Sequence, residues 1–391
     1  MQALKNNVYK NYIFTFINNF NVTNGIWMLF LASRGLSLFE IGIMESIFHI
    51  TSFTMEIPTG MIADLYGRKF SRLLGRLATV LAFLIMLFSH STILFALSFI
   101  IQALGYNLES GAGEALIYDS IKEIGEEGKY IKVKGKTEVF FQIASVFSLL
   151  LGGYLGTLDY RYVYITAIIF SSIAFFEALT FKEPTIGKVK HLDSPISTFK
   201  NQLKESLDAL KMDKRIIFLI IAAEIFATFV TTEFFYIQNL LKSQGQSEFQ
   251  IGLLLSSSSL AAALVAVHTY KLEVRFKFKK LLIILSASGI TAFWGMTTPL
   301  IVPSFILITV VESIMFIVMG NYINKLIKSE QRATLLSLQS MAFSLFMIVI
   351  FPIVGGLGDY FGLNFSFVFI AGASTVALSI VIYIAAKKIS I

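Results

Sequence analysis

Acidic residues inside long apolar stretches are the side chains of this sequence best placed to do chemistry. The candidates are Glu109, Glu224, Glu233 and Glu312. In a medium of low dielectric, a carboxyl group without a basic partner favours its neutral form, so it can take up a proton on one side of a membrane and release it on the other. We therefore expect these residues, with Asn19, to couple protons and line a substrate cavity. A purely structural hydrogen bond between helices is the alternative for each.

The composition places most of the chain in lipid. Of 391 residues, 55% are hydrophobic and 15% are charged, and the mean hydropathy is +0.73. A water-soluble domain of this size does not need so many apolar residues. The chain has no Cys, no phosphate-binding loop for ATP, no Cys/His metal spacing and no nucleophile beside a base. We expect neither an enzyme nor a cofactor nor a metal, and we attribute the net charge of +7 to membrane topology rather than to nucleic acid.

Twelve apolar stretches are about long enough to cross a bilayer, which takes about 20 residues. They cover residues 9–32, 38–62, 72–90, 92–118, 135–156, 161–181, 215–241, 248–270, 280–299, 301–325, 332–357 and 363–386. An even number puts both termini on one side, and all but three of the 32 Lys and Arg residues lie on that side. The positive-inside rule makes it the cytoplasm. By these boundaries no Lys or Arg lies near the bilayer midplane, which argues against an anionic substrate.

The two halves of the chain repeat each other. Residues 34–42 resemble residues 244–252 at an offset of 210, with a Gly followed by Ser and by Ile-Gly in both. A similar Gly-Gly stretch ends the fifth and the eleventh span. We predict a six-helix bundle at 1–181, a cytoplasmic linker with an amphipathic helix at 182–214, and a second six-helix bundle at 215–391.

The short turn between the second and third spans carries the most specific motif. Its pattern is Gly60, Asp64, Gly67, Arg68 and Lys69. We expect the glycines to allow a close helix approach and a positive φ. The motif resembles the loop between helices 2 and 3 of the major facilitator superfamily of secondary transporters. This resemblance implies an all-α membrane protein, with two six-helix bundles around a central cavity.

The resemblance also implies roles for particular residues. Helices 1, 4, 7 and 10 of that family line the cavity, and the predicted carboxylates fall on three of these four helices. Arg68 is expected to pair with Asp119, and Asp64 to face the start of the helix near Arg332 and Ala333. We expect these contacts to form a latch that closes the cytoplasmic side. In the second half, Lys277 stands where the first half has Gly67, so the latch is expected to be asymmetric.

We therefore predict a proton-coupled exporter of lipophilic neutral or cationic small molecules in the cell membrane, with both termini cytoplasmic. Its expected partners are the small-molecule substrate, protons and the bilayer, and its expected assembly is a monomer. A proton-coupled transporter of a sugar, an amino acid or another metabolite is the alternative, since the asparagines of the first span suit a polar ligand. A membrane receptor or scaffold and a channel are the alternatives from other classes.

Overall fold

The structure, a computed structural model, describes residues 2–186, 214–326 and 332–388, and its regular elements there are helices. The all-α prediction is confirmed. The amphipathic helix predicted at residues 194–210 lies outside the described residues. The helices are α1 (Gln2–Asn19), α2 (Trp27–Ser33), α3 (Leu38–Tyr66), α4 (Arg68–Phe88), α5 (Thr92–Glu123), a short 3₁₀ turn (Glu127–Lys129), α6 (Tyr130–Leu158), α7 (Tyr160–Thr180), α8 (Lys214–Ser243), α9 (Glu248–Ala266), α10 (Thr269–Gly295), α11 (Ile301–Leu326), α12 (Arg332–Phe361) and α13 (Leu363–Lys388).

Nine of the described helices are long and apolar enough to cross a membrane. They are α4 to α9 and α11 to α13. The first predicted span is divided between α1 and α2, while α3 and α10 contain several charged residues. The chain is thus a multi-pass membrane protein, and the count of twelve spans stays a prediction.

The helices pack into two compact units. The first contains residues 1–30 and 47–200, and the second contains residues 31–46 and 201–391. The first turns of α3 therefore pack with the second unit, and the rest of α3 packs with the first. A polar cavity lies within the first unit, and helices α1, α4, α5 and α6 of that unit carry the residues that line it.

The sequence repeat corresponds to a repeated backbone turn. Gly35 has a φ of 91° and Gly245 a φ of 85°, a region that side chains with a Cβ rarely enter. Each glycine ends a helix, and the next residue donates its backbone N–H to a carbonyl five residues earlier. This is the arrangement that commonly closes an α-helix.

The helices after these turns begin with the same type of cap. Ser37 Oγ accepts a hydrogen bond from the backbone of Glu40, and a carboxylate oxygen of Glu40 accepts one from the backbone of Ser37. Ser247 and Gln250 form the same reciprocal pair at the start of α9. The two halves therefore share a capping box as well as a turn.

The turn between α3 and α4 is a single residue. Gly67, with a φ of 102°, separates Tyr66 from Arg68, which are both helical. The positive φ predicted for the motif is confirmed at Gly67. The close approach predicted for Gly60 stays a prediction, since a Cβ at this position within α3 would meet no atom of the described residues within 4 Å.

The second half repeats this turn with a different residue. Lys277 has a φ of 54° and a ψ of 160°, and it kinks α10 at the position equivalent to Gly67. This part of backbone space is used almost only by glycine, and another residue there costs on the order of 1–3 kcal/mol. The repeat therefore preserves the backbone turn where the sequence comparison found only the charges.

We expect Lys277→Gly to raise the free energy of unfolding by about 1 kcal/mol, because glycine removes the strain at a positive φ. Thermal unfolding of the purified protein in detergent measures the change. Lys280→Gly, within the regular part of α10, is the matched control and should lower stability by a similar amount. A loss of stability in Lys277→Gly would contradict the account of this turn.

Candidate functional site

A polar cavity of about 330 Å³ lies within the first unit, between α1, α4, α5 and α6. Its size is within the range of sites that bind small molecules. Charged, amide and hydroxyl side chains make up much of its wall. The polar lining residues are Asn11, Thr15, Asn18, Asn19, Arg72, Arg76, Tyr106, Glu109, Ser110, Glu114, Tyr130, Lys134, Thr137 and Glu138.

Arg72, in the second turn of α4, forms the buried end of this cavity. Only 2% of its surface is exposed. Its Nη2 lies 2.9 Å from Oε1 of Glu109, and its Nε lies 3.2 Å from Oε2 of the same carboxylate. The guanidinium Cζ is also 4.0 Å from the ring centre of Phe14 and 4.8 Å from that of Phe181. A planar guanidinium group suits both the two-point ion pair and the aromatic faces.

Arg76 lies one turn further along the same face of α4 and is 6% exposed. Its Nη1 donates a hydrogen bond to Oδ1 of Asn18 on α1. Its buried Nε has no hydrogen-bond partner among the described residues. The cavity therefore has a second buried guanidinium group, which is only partly satisfied by the protein.

Arg72 overturns, for Glu109, the prediction that the buried carboxylates have no basic partner. The sequence analysis began the third span at residue 72 and assigned Arg72 and Arg76 to the cytoplasmic turn. In the structure α4 begins at Arg68, which places both side chains inside the bundle. Glu109 is therefore half of an ion pair and not an isolated acid. The helical spacing of the buried face of α4 could have revealed this; that face comprises Ser71, Arg72, Gly75, Arg76, Thr79, Ala82, Phe83 and Met86.

A second ion pair lies at the exposed rim of the cavity. Oε1 of Glu114 accepts hydrogen bonds from Lys134 Nζ and Tyr130 Oη, both at 2.6 Å. Both side chains of the ion pair are more than half exposed. A pair in this position is worth little energetically, so it contributes polarity to the entrance more than stability.

Asn19, predicted to contact substrate, does line the cavity. Its amide nitrogen donates to the backbone oxygen of Thr15 at 2.8 Å, one turn earlier in α1. Its neighbours Asn11 and Asn18 also line the cavity and contact Thr137 and Arg76 respectively. One face of α1 thus supplies amide groups to the site, which agrees with the polar ligand considered for this span.

The other three predicted carboxylates belong to the second unit. Glu224 on α8 accepts a hydrogen bond from Gln339 Nε2 at 3.2 Å, and it lies within electrostatic range of Glu312 on α11. Glu233 is fully buried, and neither of its carboxylate oxygens has a partner among the described residues. It lies nine residues beyond Glu224, or about 13 Å along the helix. Glu224 and Glu312 therefore form one acidic site, and Glu233 is separate from it.

Some of the residues predicted to form a latch lie together at one end of the first unit. Arg68 forms an ion pair with Asp119, as the family resemblance implied. Glu183, which the sequence analysis missed, accepts backbone hydrogen bonds from Arg68 at 2.8 Å and Lys69 at 2.7 Å. This carboxylate caps the positive start of α4. The side chains of Arg332 and Ala333, the partners predicted for Asp64, lie outside those that the structure describes.

Among the described residues, no group of three or more His, Asp or Glu side chains is arranged to hold a metal ion. The side chains that line the cavity form ion pairs and hydrogen bonds.

Comparison with known proteins points to membrane transporters. The model of the Major Facilitator Superfamily matches residues 11–309 and 217–389. An uncharacterized MFS-type transporter, YxaM of Bacillus subtilis (strain 168), is 25% identical over 352 residues, which cover 88% of this chain and 87% of the relative. Among solved structures, the nucleoside transporter NupG has a TM-score of 0.80 at 15% identity, covering 98% of this chain and 100% of NupG. A D-xylose-proton symporter has a TM-score of 0.70 at 17% identity, covering 98% and 97%. At these identities the two structures show a shared fold.

We expect Arg72→Met to lower the free energy of unfolding by about 3–5 kcal/mol, because it leaves the buried carboxylate of Glu109 without its cation. The double variant Arg72→Met/Glu109→Gln removes both charges and should recover most of that loss. Lys134→Gln, which breaks the exposed pair with Glu114, is the control and should cost less than about 1 kcal/mol.

Denaturant unfolding in detergent measures all three variants. Equal effects of Arg72→Met and Lys134→Gln would contradict a buried ion pair at the end of the cavity.

Proposed function

The chain belongs to the Major Facilitator Superfamily, and we propose that it moves a small polar metabolite across the cell membrane by proton-coupled alternating access. The observation that carries this proposal is the cavity of the first unit, in which a buried ion pair, a second guanidinium group and several amides face the same space. Burying such groups in a membrane bundle is costly. A polar ligand that completes their hydrogen bonds gives a reason for that cost.

The predicted efflux of lipophilic cations has less support. It relied on bare carboxylates attracting a cation, with no basic group nearby to repel it. Arg72 neutralises Glu109, and Arg76 adds a further positive charge beside it. A cationic drug would meet this charge at the buried end of the cavity, so the alternative of metabolite transport is favoured over a multidrug antiporter.

Proton coupling is assigned to the second unit. Glu224 and Glu312 lie close enough to interact, and neither forms an ion pair among the described residues. A carboxyl group in a region of low dielectric favours its neutral form when no cation is beside it, so in this proposal the two groups bind and release the coupled proton. A change in solvent access would then release that proton. Glu233 has no access to such an exchange in the described conformation, since it is fully buried.

The pair formed by Arg68 and Asp119 suits a latch that opens and closes during the cycle. It lies beside the one-residue turn at Gly67, and Glu183 holds the start of α4 at the same place. Breaking it would free α4 and α5 to move at their cytoplasmic ends. In this proposal the chain crosses the membrane twelve times as a monomer, with both termini in the cytoplasm and its linker at 182–214 joining the two bundles.

We expect Glu312→Gln to lower proton-coupled transport at least about tenfold, because glutamine cannot bind or release a proton at this site. The measurement is the proton flux into proteoliposomes on addition of each member of a panel of sugars, nucleosides, amino acids and lipophilic cations. Glu127→Gln, an exposed residue of the turn before α6, is the matched control and should leave the flux unchanged.

Proton flux with polar metabolites and not with lipophilic cations is the expected pattern. Proton flux with the lipophilic cations alone would instead favour the efflux of lipophilic cations. Transport that continues in Glu312→Gln with unchanged dependence on the pH gradient would remove Glu312 from the mechanism.

A further inference from the structure

Arg76 carries a buried positive charge that the described residues do not neutralise. It is 6% exposed, and among the described residues its Nε has no hydrogen-bond partner and only Asn18 accepts a hydrogen bond from its guanidinium group. No described carboxylate lies within ion-pair distance of it. A guanidinium group has five N–H donors and stays protonated in proteins, so Arg76 keeps both its charge and its spare donors.

The carboxylates around the cavity are already engaged by other groups. Glu109 on α5 is held at two points by Arg72, which lies on α4 with Arg76. Glu114 is held by Lys134 and Tyr130 at the rim. Glu138 on α6 is exposed and accepts a hydrogen bond from Gln142.

The distribution of charge in the cavity is therefore uneven. The buried end, formed by the two arginines and Glu109, has one positive charge in excess, while the rim, with Glu114, Glu138 and Lys134, has one negative charge in excess. Water screens the rim much more than the buried end. A ligand that enters this cavity meets an unsatisfied positive group at its inner end.

We propose that Arg76 is the anchor for an anionic group of the substrate, either a carboxylate or a phosphate. The inference rests on the proposed function and names its substrate class. Both kinds of anion accept two parallel hydrogen bonds from a guanidinium group, which fits a guanidinium group that lines the cavity and has only one hydrogen bond to the described residues. The substrate is thus a small organic acid, an amino acid or a phosphorylated metabolite, with its anionic end against α4.

A purely structural role for Arg76 and a role as a ligand anchor predict opposite effects of Arg76→Gln on the melting temperature of the ligand-free protein. If Arg76 served only to hold Asn18, then Arg76→Gln would weaken the packing of α1 on α4 and lower the melting temperature. An anchor for a ligand is instead an uncompensated buried charge in the absence of that ligand. Arg76→Gln should then keep or raise the melting temperature of the ligand-free protein while it abolishes the response to anions.

The test uses the full chain in detergent and three matched pairs of probes. Each pair differs mainly in its anionic group: lactate and lactamide, alanine and alaninamide, and glycerol 3-phosphate and glycerol. We expect at least one member with an anionic group to raise the melting temperature in a saturable way, and its partner without that group to have no such effect. Arg76→Gln should weaken the apparent affinity at least about tenfold, which is the loss expected for hydrogen bonds to a charged group.

Two further variants control this test. Arg76→Lys keeps the charge without the planar fork and should retain part of the affinity. Arg275→Gln removes an exposed arginine of α10 and should bind as the unchanged protein does. The pair that responds also separates the two anions, since glycerol 3-phosphate reports a phosphate and the other two report a carboxylate.

Three results would overturn the inference: no stabilisation by any of the anions, equal stabilisation by a neutral partner, or an undiminished effect in Arg76→Gln. Saturable binding and proton-coupled flux of a neutral sugar would reject the anionic substrate and leave the proposed function intact. Anion binding that depends on Arg76, without any proton flux on addition of the same anion, would support the anchor and reject proton coupling.

Discussion

The ion pair between Arg72 and Glu109 is the interaction on which the site of this protein depends. A guanidinium group and a carboxylate are both costly to place inside a helical bundle in lipid, and the cost is greatest when neither has an opposite charge beside it. Their two-point contact, with aromatic rings on the faces of Arg72, removes most of that cost. It also holds α4 against α5 at a fixed register, and this register brings Arg76 to the cavity.

The backbone explains how charged residues reach this depth. Because the turn at Gly67 is one residue long, α4 starts directly after α3, and Glu183 stabilises its first backbone N–H groups. Arg72 and Arg76 then lie about 6 and 12 Å along the helix from its start. The equivalent turn in the second half survives at Lys277 in spite of the strain, which indicates that the architecture requires a tight reversal at this position in both halves.

The sequence was sufficient for those features that depend on local patterns. Apolar runs predicted an all-helical membrane protein. The motif between the second and third spans predicted the family and the contact between Arg68 and Asp119. The sequence was insufficient to place Arg72 and Arg76, because their placement depends on where one helix begins. Apolar content put the start of the third span at residue 72, although α4 begins at Arg68, and this shift of one turn concealed both buried arginines. The contacts of Glu183 and Gln339 join residues more than 100 positions apart, so no local pattern could have indicated them.

The excess of positive charge at the buried end of the cavity can be measured directly, because the chain has no cysteine to interfere. Ser110→Cys places a single thiol on the cavity wall. Its rates of modification by two methanethiosulfonates, one bearing a sulfonate and the other a trimethylammonium group, are compared after normalisation to a free thiol. We expect the sulfonate reagent to react several-fold faster, and this preference to disappear in Arg76→Gln. A preference for the ammonium reagent, or a preference for the sulfonate that persists without Arg76, would contradict the account.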